Sequence, residues 1–123
     1  MSKILIIEDD KDVVSVLKMA LEKEGYEVDY AYDGLEALEK IKEKPDAIIL
    51  DLMLPKVDGY SINIKLKENP QTKDIPVIVL TGKGYLKELM GIREEMKVQA
   101  YLEKPVPMKT ILEKIKSCLT KKE

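Results

Sequence analysis

Lys3-Ile4-Leu5-Ile6-Ile7-Glu8-Asp9-Asp10 is the stretch that decides the fold. Its aliphatic run is too short for a helix. It is also too uniformly apolar for a strand with one wet face, and it suits a central strand of a parallel sheet covered on both sides. Ala47-Ile48-Ile49-Leu50-Asp51 has the same form and again ends in carboxylate. In an open α/β sheet the functional crevice lies beyond the carboxyl ends of the strands. Glu8, Asp9 and Asp51 gathered there repel one another and need a compensating cation, and hard carboxylate oxygens suit Mg²⁺ or a similar divalent ion.

Working outward from these two runs, strand and helix alternate along the whole chain. Strand one covers about 3–8. With Asp10 as its N-cap, a helix over about 11–24 sets Val13, Leu17, Ala20 and Leu21 on one face, and Gly25 stops it. Strand two covers about 27–31, after which Asp33-Gly34 turns into a helix carrying Leu35, Leu38 and Ile41. Pro45 precedes strand three, about 46–51. Past the turn at Asp58-Gly59, a helix buries Ile62 and Leu66 and breaks at Asn69-Pro70-Gln71. Strand four is Pro76 to Leu80, ending at Thr81-Gly82. A helix follows over about 84–96, although Gly84 and Gly91 weaken it. Strand five covers about 99–102 and runs to Lys104-Pro105. The last helix, about 107–120, spaces Met108, Ile111, Leu112, Ile115 and Leu119 helically, with Pro107 in its first turn.

Five strands alternating with five helices on short loops make a doubly wound (βα)5 α/β sandwich, a parallel sheet with helices on both faces. One domain spans 1–123. Parallel strands share one C-terminal edge, where Glu8, Asp9, Asp51, Thr81 and Lys104 converge.

Of the 123 residues, 45% are hydrophobic, enough for a core, and 36% are charged with a net charge of only −2. With no basic stripe and only Tyr as an aromatic, direct nucleic-acid binding is not expected. No apolar run reaches the roughly 20 residues of a membrane span. The N-terminus runs straight into a strand without a signal peptide, so the expected location is cytoplasmic. The single cysteine, Cys118, reads as a small apolar filler of the last helix. The chain has no His, which excludes a His-based triad, a His-ligated zinc and a phosphohistidine of its own.

Several further stretches carry a family pattern: Asp33-Gly34-Leu35-Glu36-Ala37-Leu38, Pro45-Asp46 through Asp51-Leu52-Met53-Leu54-Pro55-Lys56-Val57-Asp58-Gly59, Ile75-Pro76-Val77-Ile78-Val79-Leu80-Thr81, and Tyr101-Leu102-Glu103-Lys104-Pro105. In this order and spacing the chain resembles a response-regulator receiver domain of two-component signalling, of the single-domain, chemotaxis-regulator-like kind, over essentially its whole length. The resemblance implies a flavodoxin-like strand order 2-1-3-4-5. It implies a switch that accepts a phosphoryl group on Asp51 and is not an enzyme acting on other molecules. Asp9 would hold Mg²⁺ (or Mn²⁺) directly and Glu8 mainly through water, with Asp51 and the Met53 carbonyl completing the set. Thr81 and Lys104 would meet the phosphoryl group, Gly82 would leave room for it, and Thr81 with Tyr101 would form the switch. Lys104-Pro105 would be a cis peptide. Met53 and Lys83 would flank the path of hydrolytic water; neither can orient it, so a long-lived acyl phosphate is expected.

The implied partners are a sensor histidine kinase or His-phosphotransfer protein and a downstream protein, with no membrane contact. The expected state is a monomer, or a dimer on phosphorylation. The responsive face would be built from the helix at 84–96, strand five and the last helix. Lys97-Val98-Gln99-Ala100 and Val106 depart from the family pattern on that face. Charge supports the chemistry independently: three acids against Mg²⁺ and Lys104 leave the site near neutral, so an anionic donor is not repelled. Alternatives are a phosphorylation-independent scaffold and a phosphorelay intermediate. A haloacid-type phosphatase would want an acid where Met53 stands, and a flavodoxin-like carrier would not place Glu8-Asp9-Asp10 against a flavin phosphate. Taken singly, Asp9 could cap a helix, Thr81 a strand end, and Tyr101 could be simple packing.

Overall fold

The computed structural model describes residues 2–52, 59–82 and 97–122. Five strands, β1 (Lys3–Ile7), β2 (Glu27–Ala31), β3 (Ala47–Asp51), β4 (Val77–Thr81) and β5 (Ala100–Glu103), alternate with helices α1 (Lys11–Lys23), α2 (Gly34–Ile41), α3 (Gly59–Glu68) and α4 (Met108–Lys122). All neighbouring strands pair in parallel, in the order β2-β1-β3-β4-β5. The helix expected over 84–96 lies outside the described residues, as do Met53 and Lys83.

The apolar strands are buried on both faces because their side chains alternate between two cores. Leu5, Ile7, Ile48, Leu50, Val77 and Val79 pack with Ala37 and Ile41 of α2 and Ile62 and Leu66 of α3. Ile4, Ile6, Ile49, Ile78 and Leu80 pack on the opposite face with Leu17 and Leu21 of α1 and Ile111 and Ile115 of α4. Cys118 is buried in this second core, as expected of an apolar filler.

Two helix faces differ from the sequence reading. On α1 the buried positions are Val14, Leu17 and Leu21, with Val13 and Ala20 at the margins. On α2 the buried stripe passes through Gly34, Ala37 and Ile41, while Leu35 is 55% exposed. Leu35 stands about 100° around the helix from Gly34, so hydrophobicity alone misplaced it. The ends follow their local signals. Asp10 Oδ1 accepts from the Asp12 and Val13 amides, Asp33 Oδ1 accepts from the Glu36 amide, and Gly25 takes φ +93° beyond α1. That last angle lies in the left-handed region where a Cβ is penalised.

Candidate functional site

The C-terminal ends of β1 and β3 are adjacent because Ile7 pairs with Leu50. The next residue along one strand is Glu8, and along the other Asp51, so their carboxylates meet beneath the sheet edge. Both are buried, at 1% and 4% exposure, while Asp9 lies exposed at the mouth. One carboxylate oxygen from each of Glu8, Asp9 and Asp51 falls within 4.8 Å of the others.

Lys104 arrives from the turn after β5, beside a cis Lys104-Pro105 peptide. Its Nζ donates to Glu8 Oε1 at 3.0 Å, to Glu8 Oε2 at 3.2 Å and to Asp51 Oδ2 at 3.3 Å. One ammonium thus spans two buried acids from two strands. Burial pushes the Glu8 carboxyl up, and the neighbouring Asp51 adds to the rise. Lys104 opposes both, and the result is about 8 against an ordinary 4.5. Burial also acts to lower Lys104, but its bonds to Glu8 and the charge of Asp51 outweigh this and raise it. Such a cluster carries more negative charge than one lysine can neutralise. All-oxygen donors with excess negative charge fit a hard divalent cation such as Mg²⁺, which takes carboxylates and keeps its remaining positions for water and phosphate.

Thr81 closes β4 with Glu103 of β5 opposite in register, so its backbone reaches the same edge. Tyr101 lies two pairs earlier, opposite Val79. Its half-buried ring packs against the core shared with α2 and α3. Glu8, Asp9, Asp51 and Lys104 are therefore brought together, Thr81 ends the neighbouring strand at the same edge, and Tyr101 packs on the α2–α3 side of the sheet.

Gly59 is a contributor that the sequence did not reveal. Asp-Gly reads as ordinary turn chemistry, yet a Cβ on Gly59 would lie 2.6 Å from the Leu52 Cα and 2.7 Å from the Asp51 carbonyl oxygen. The Gly59 amide donates to Leu52 O at 3.2 Å. The first turn of α3 is thus laid directly on the backbone that carries Asp51. Beside the acids, a mainly apolar groove of about 670 Å³ begins at Lys104 and Gly82 and runs past Val13, Val16, Val106 and Met108 between α1 and α4.

A family model for the response regulator receiver domain matches residues 4–116. Among curated relatives, the DNA-binding dual master transcriptional regulator RpaA of Synechocystis is 38% identical over 97% of this chain and 49% of its own length. The alkaline phosphatase synthesis transcriptional regulatory protein PhoP of Bacillus subtilis is 37% identical over 98% of the chain and 50% of its own length. The chain therefore spans about half the length of these relatives. Among solved structures, a response regulator receiver domain protein from Clostridium thermocellum superposes with a TM-score of 0.88 at 31% identity, covering 99% of this chain and 97% of the other. The CheY-like receiver domain protein of Methanospirillum hungatei gives 0.88 at 31% identity, with coverages of 98% and 95%.

Proposed function

Because the chain belongs to the response-regulator receiver family, we propose that it is a phosphorylation-controlled switch whose acceptor is Asp51. The observation that carries this reading is the single ammonium of Lys104 spanning the buried Glu8 and Asp51 at the sheet edge.

The donor is a phosphohistidine on a sensor kinase or phosphotransfer protein. A carboxylate oxygen of Asp51 attacks the phosphorus, the bond from phosphorus to the donor nitrogen breaks, and its electron pair returns to the imidazole. The product is an acyl phosphate. Glu8, Asp9, Asp51 and the Met53 carbonyl are the groups that would hold Mg²⁺, which when bound supplies charge neutralisation for the transferring phosphoryl oxygens. Lys104 adds a fixed positive charge on one side of the acceptor, and because Asp51 is only 4% exposed that charge is screened less there than at the surface. The apolar groove beside Lys104 gives the donor protein a surface to cover while its histidine reaches Asp51.

In the signalling step the Thr81 hydroxyl turns toward the phosphoryl group and Tyr101 moves inward. The face that β5 and α4 form with the helix expected over 84–96 then changes for a downstream protein. A chemical event at one edge thereby biases a bistable packing element.

The test is intact mass after incubation with Mg²⁺ and acetyl phosphate. Wild type should gain one phosphoryl group and Asp51→Asn none. Gain by Asp51→Asn, or none by wild type with either acetyl phosphate or a phosphohistidine protein donor, would overturn the reading. Tyr101 ring resonances left unmoved by phosphorylation would remove the switch.

A further inference from the structure

β2 lies at one edge of the sheet and pairs only with β1 among the described strands. The Glu27 amide donates to Ser2 O, and Ala31 O accepts from the Glu8 amide, so these residues face β1. Alternation along the strand sends the backbone groups of Val28 and Tyr30 outward. An outward row of this kind is a template for another strand.

The side chains of this segment favour such pairing. Tyr26, Val28, Tyr30 and Tyr32 all lie partly buried on the α1 side of the sheet, and the rings of Tyr30 and Tyr32 sit 5.1 Å apart. A second copy related by a two-fold axis at residue 29 would pair Val28 with Tyr30 and Tyr26 with Tyr32 across the joint. Aromatic and β-branched cross-strand pairs of this type stabilise antiparallel strands.

One cluster stands against it. Asp29 Oδ1 accepts from the Tyr30 amide at 2.8 Å, and Lys40 Nζ of α2 donates to the Tyr30 carbonyl at 2.6 Å. The same Nζ donates to Asp29 Oδ1 at 2.9 Å. An ion pair therefore occupies both outward backbone groups of Tyr30. The stem of Lys40 crosses the edge, with its ammonium 5.0 Å from the Tyr30 ring centroid. Displacing Lys40 would also leave two Asp29 side chains opposed across the two-fold axis, a like-charge contact that destabilises strand pairing.

We propose that Asp29 and Lys40 form an edge clamp that closes β2 against antiparallel pairing with β2 of a second copy of this chain. The clamp turns a self-complementary strand into a silent surface and leaves partner contacts to other faces.

The test compares wild type with the double variant Asp29→Ala, Lys40→Met by sedimentation velocity, with circular dichroism to confirm folding. The variant should sediment at twice the wild-type mass. Adding Val28→Pro, which removes an outward donor without touching the β1 ladder, should restore the single-chain mass. A folded double variant with the wild-type mass overturns the proposal, as does association that a folded Val28→Pro derivative keeps. Should the double variant not fold, hydrogen exchange on wild type decides. The clamp requires a protected Tyr30 amide although it lies on the outer edge; exchange at the rate of an exposed amide overturns it.

Discussion

Lys104 and Glu8 are 96 positions apart in the chain yet 3.0 Å apart in space. The sequence names each as a candidate, Glu8 as the acid ending an apolar run and Lys104 as the lysine before a proline. It does not show that one ammonium reaches Glu8 and Asp51 together, because that contact depends on how far the turn after β5 folds back. Topology alone put Thr81 at the shared edge, but the roles of Thr81 and Tyr101 were legible only through the family pattern, since a hydroxyl and a ring on strands are ordinary packing elsewhere. A phosphoryl group carried on Asp51, as proposed, is lost by attack of water. Met53 and Lys83 cannot orient an attacking water as a carboxylate or amide does. Wild type should therefore hold its phosphate longer than the Met53→Ala, Lys83→Ala pair, read as loss of the adduct by intact mass over time. Equal decay would remove the shielding role.

At the scale of elements, helix ends were the most legible features, because Asp10, Asp33 and Gly25 act through the backbone within a few residues of themselves. Helix faces were less so, as Leu35 shows: which side is buried depends on where the sheet lies. The departure at Lys97-Val98-Gln99-Ala100 gains a structural reading. Lys97 adopts φ +52°, in the left-handed region. Gln99 then ties the entry of β5 to β4, its side-chain oxygen accepting from the Val77 amide at 2.8 Å and its own amide donating to Val77 O at 2.9 Å. Gly59 is the case that no local rule finds, because its need for a missing side chain arises where α3 meets the end of β3. Gly59→Ala should cost about 1–3 kcal/mol in denaturant unfolding from overpacking. It should also slow phosphorylation by acetyl phosphate, since the displaced backbone carries Asp51. Wild-type stability and rate together would show that the joint can relax.

Across the molecule, most charged side chains among the described residues are solvated, and the Asp29–Lys40 pair is an exception that ties β2 to α2. Burial pushes the Asp29 carboxyl up, but the bonds from Lys40 and the Tyr30 amide outweigh this and, with Lys3 nearby, hold it below its ordinary 3.8. Lys40 is raised chiefly by its bond to Asp29, against the lowering effect of burial, with Glu36 adding to the rise. A depressed carboxyl contributes stability that is present above its unfolded value and lost as pH falls through the folded one. The raised amine contributes below 10.5 and loses its share as pH rises through the folded value. Both side chains are about a quarter exposed, so the pair is worth about 0.5–1 kcal/mol after screening. The Lys40→Met deficit, measured at concentrations where both proteins are single chains, should be flat near neutrality and shrink below about pH 4. A deficit unchanged to pH 2 would mean that packing of the lysine stem, and not its charge, is what is lost.

The α/β class, the order of elements and the acids that end β1 and β3 follow from local sequence signals. Apolar runs, caps and breakers act over a few residues and can be read in place. Tertiary structure alone decided that Lys104 spans Glu8 and Asp51, that Gly59 must lack a side chain, and that Lys40 closes the β2 edge. Each of these depends on a distance between segments far apart in the chain, and only the packed sheet and its helices fix such distances.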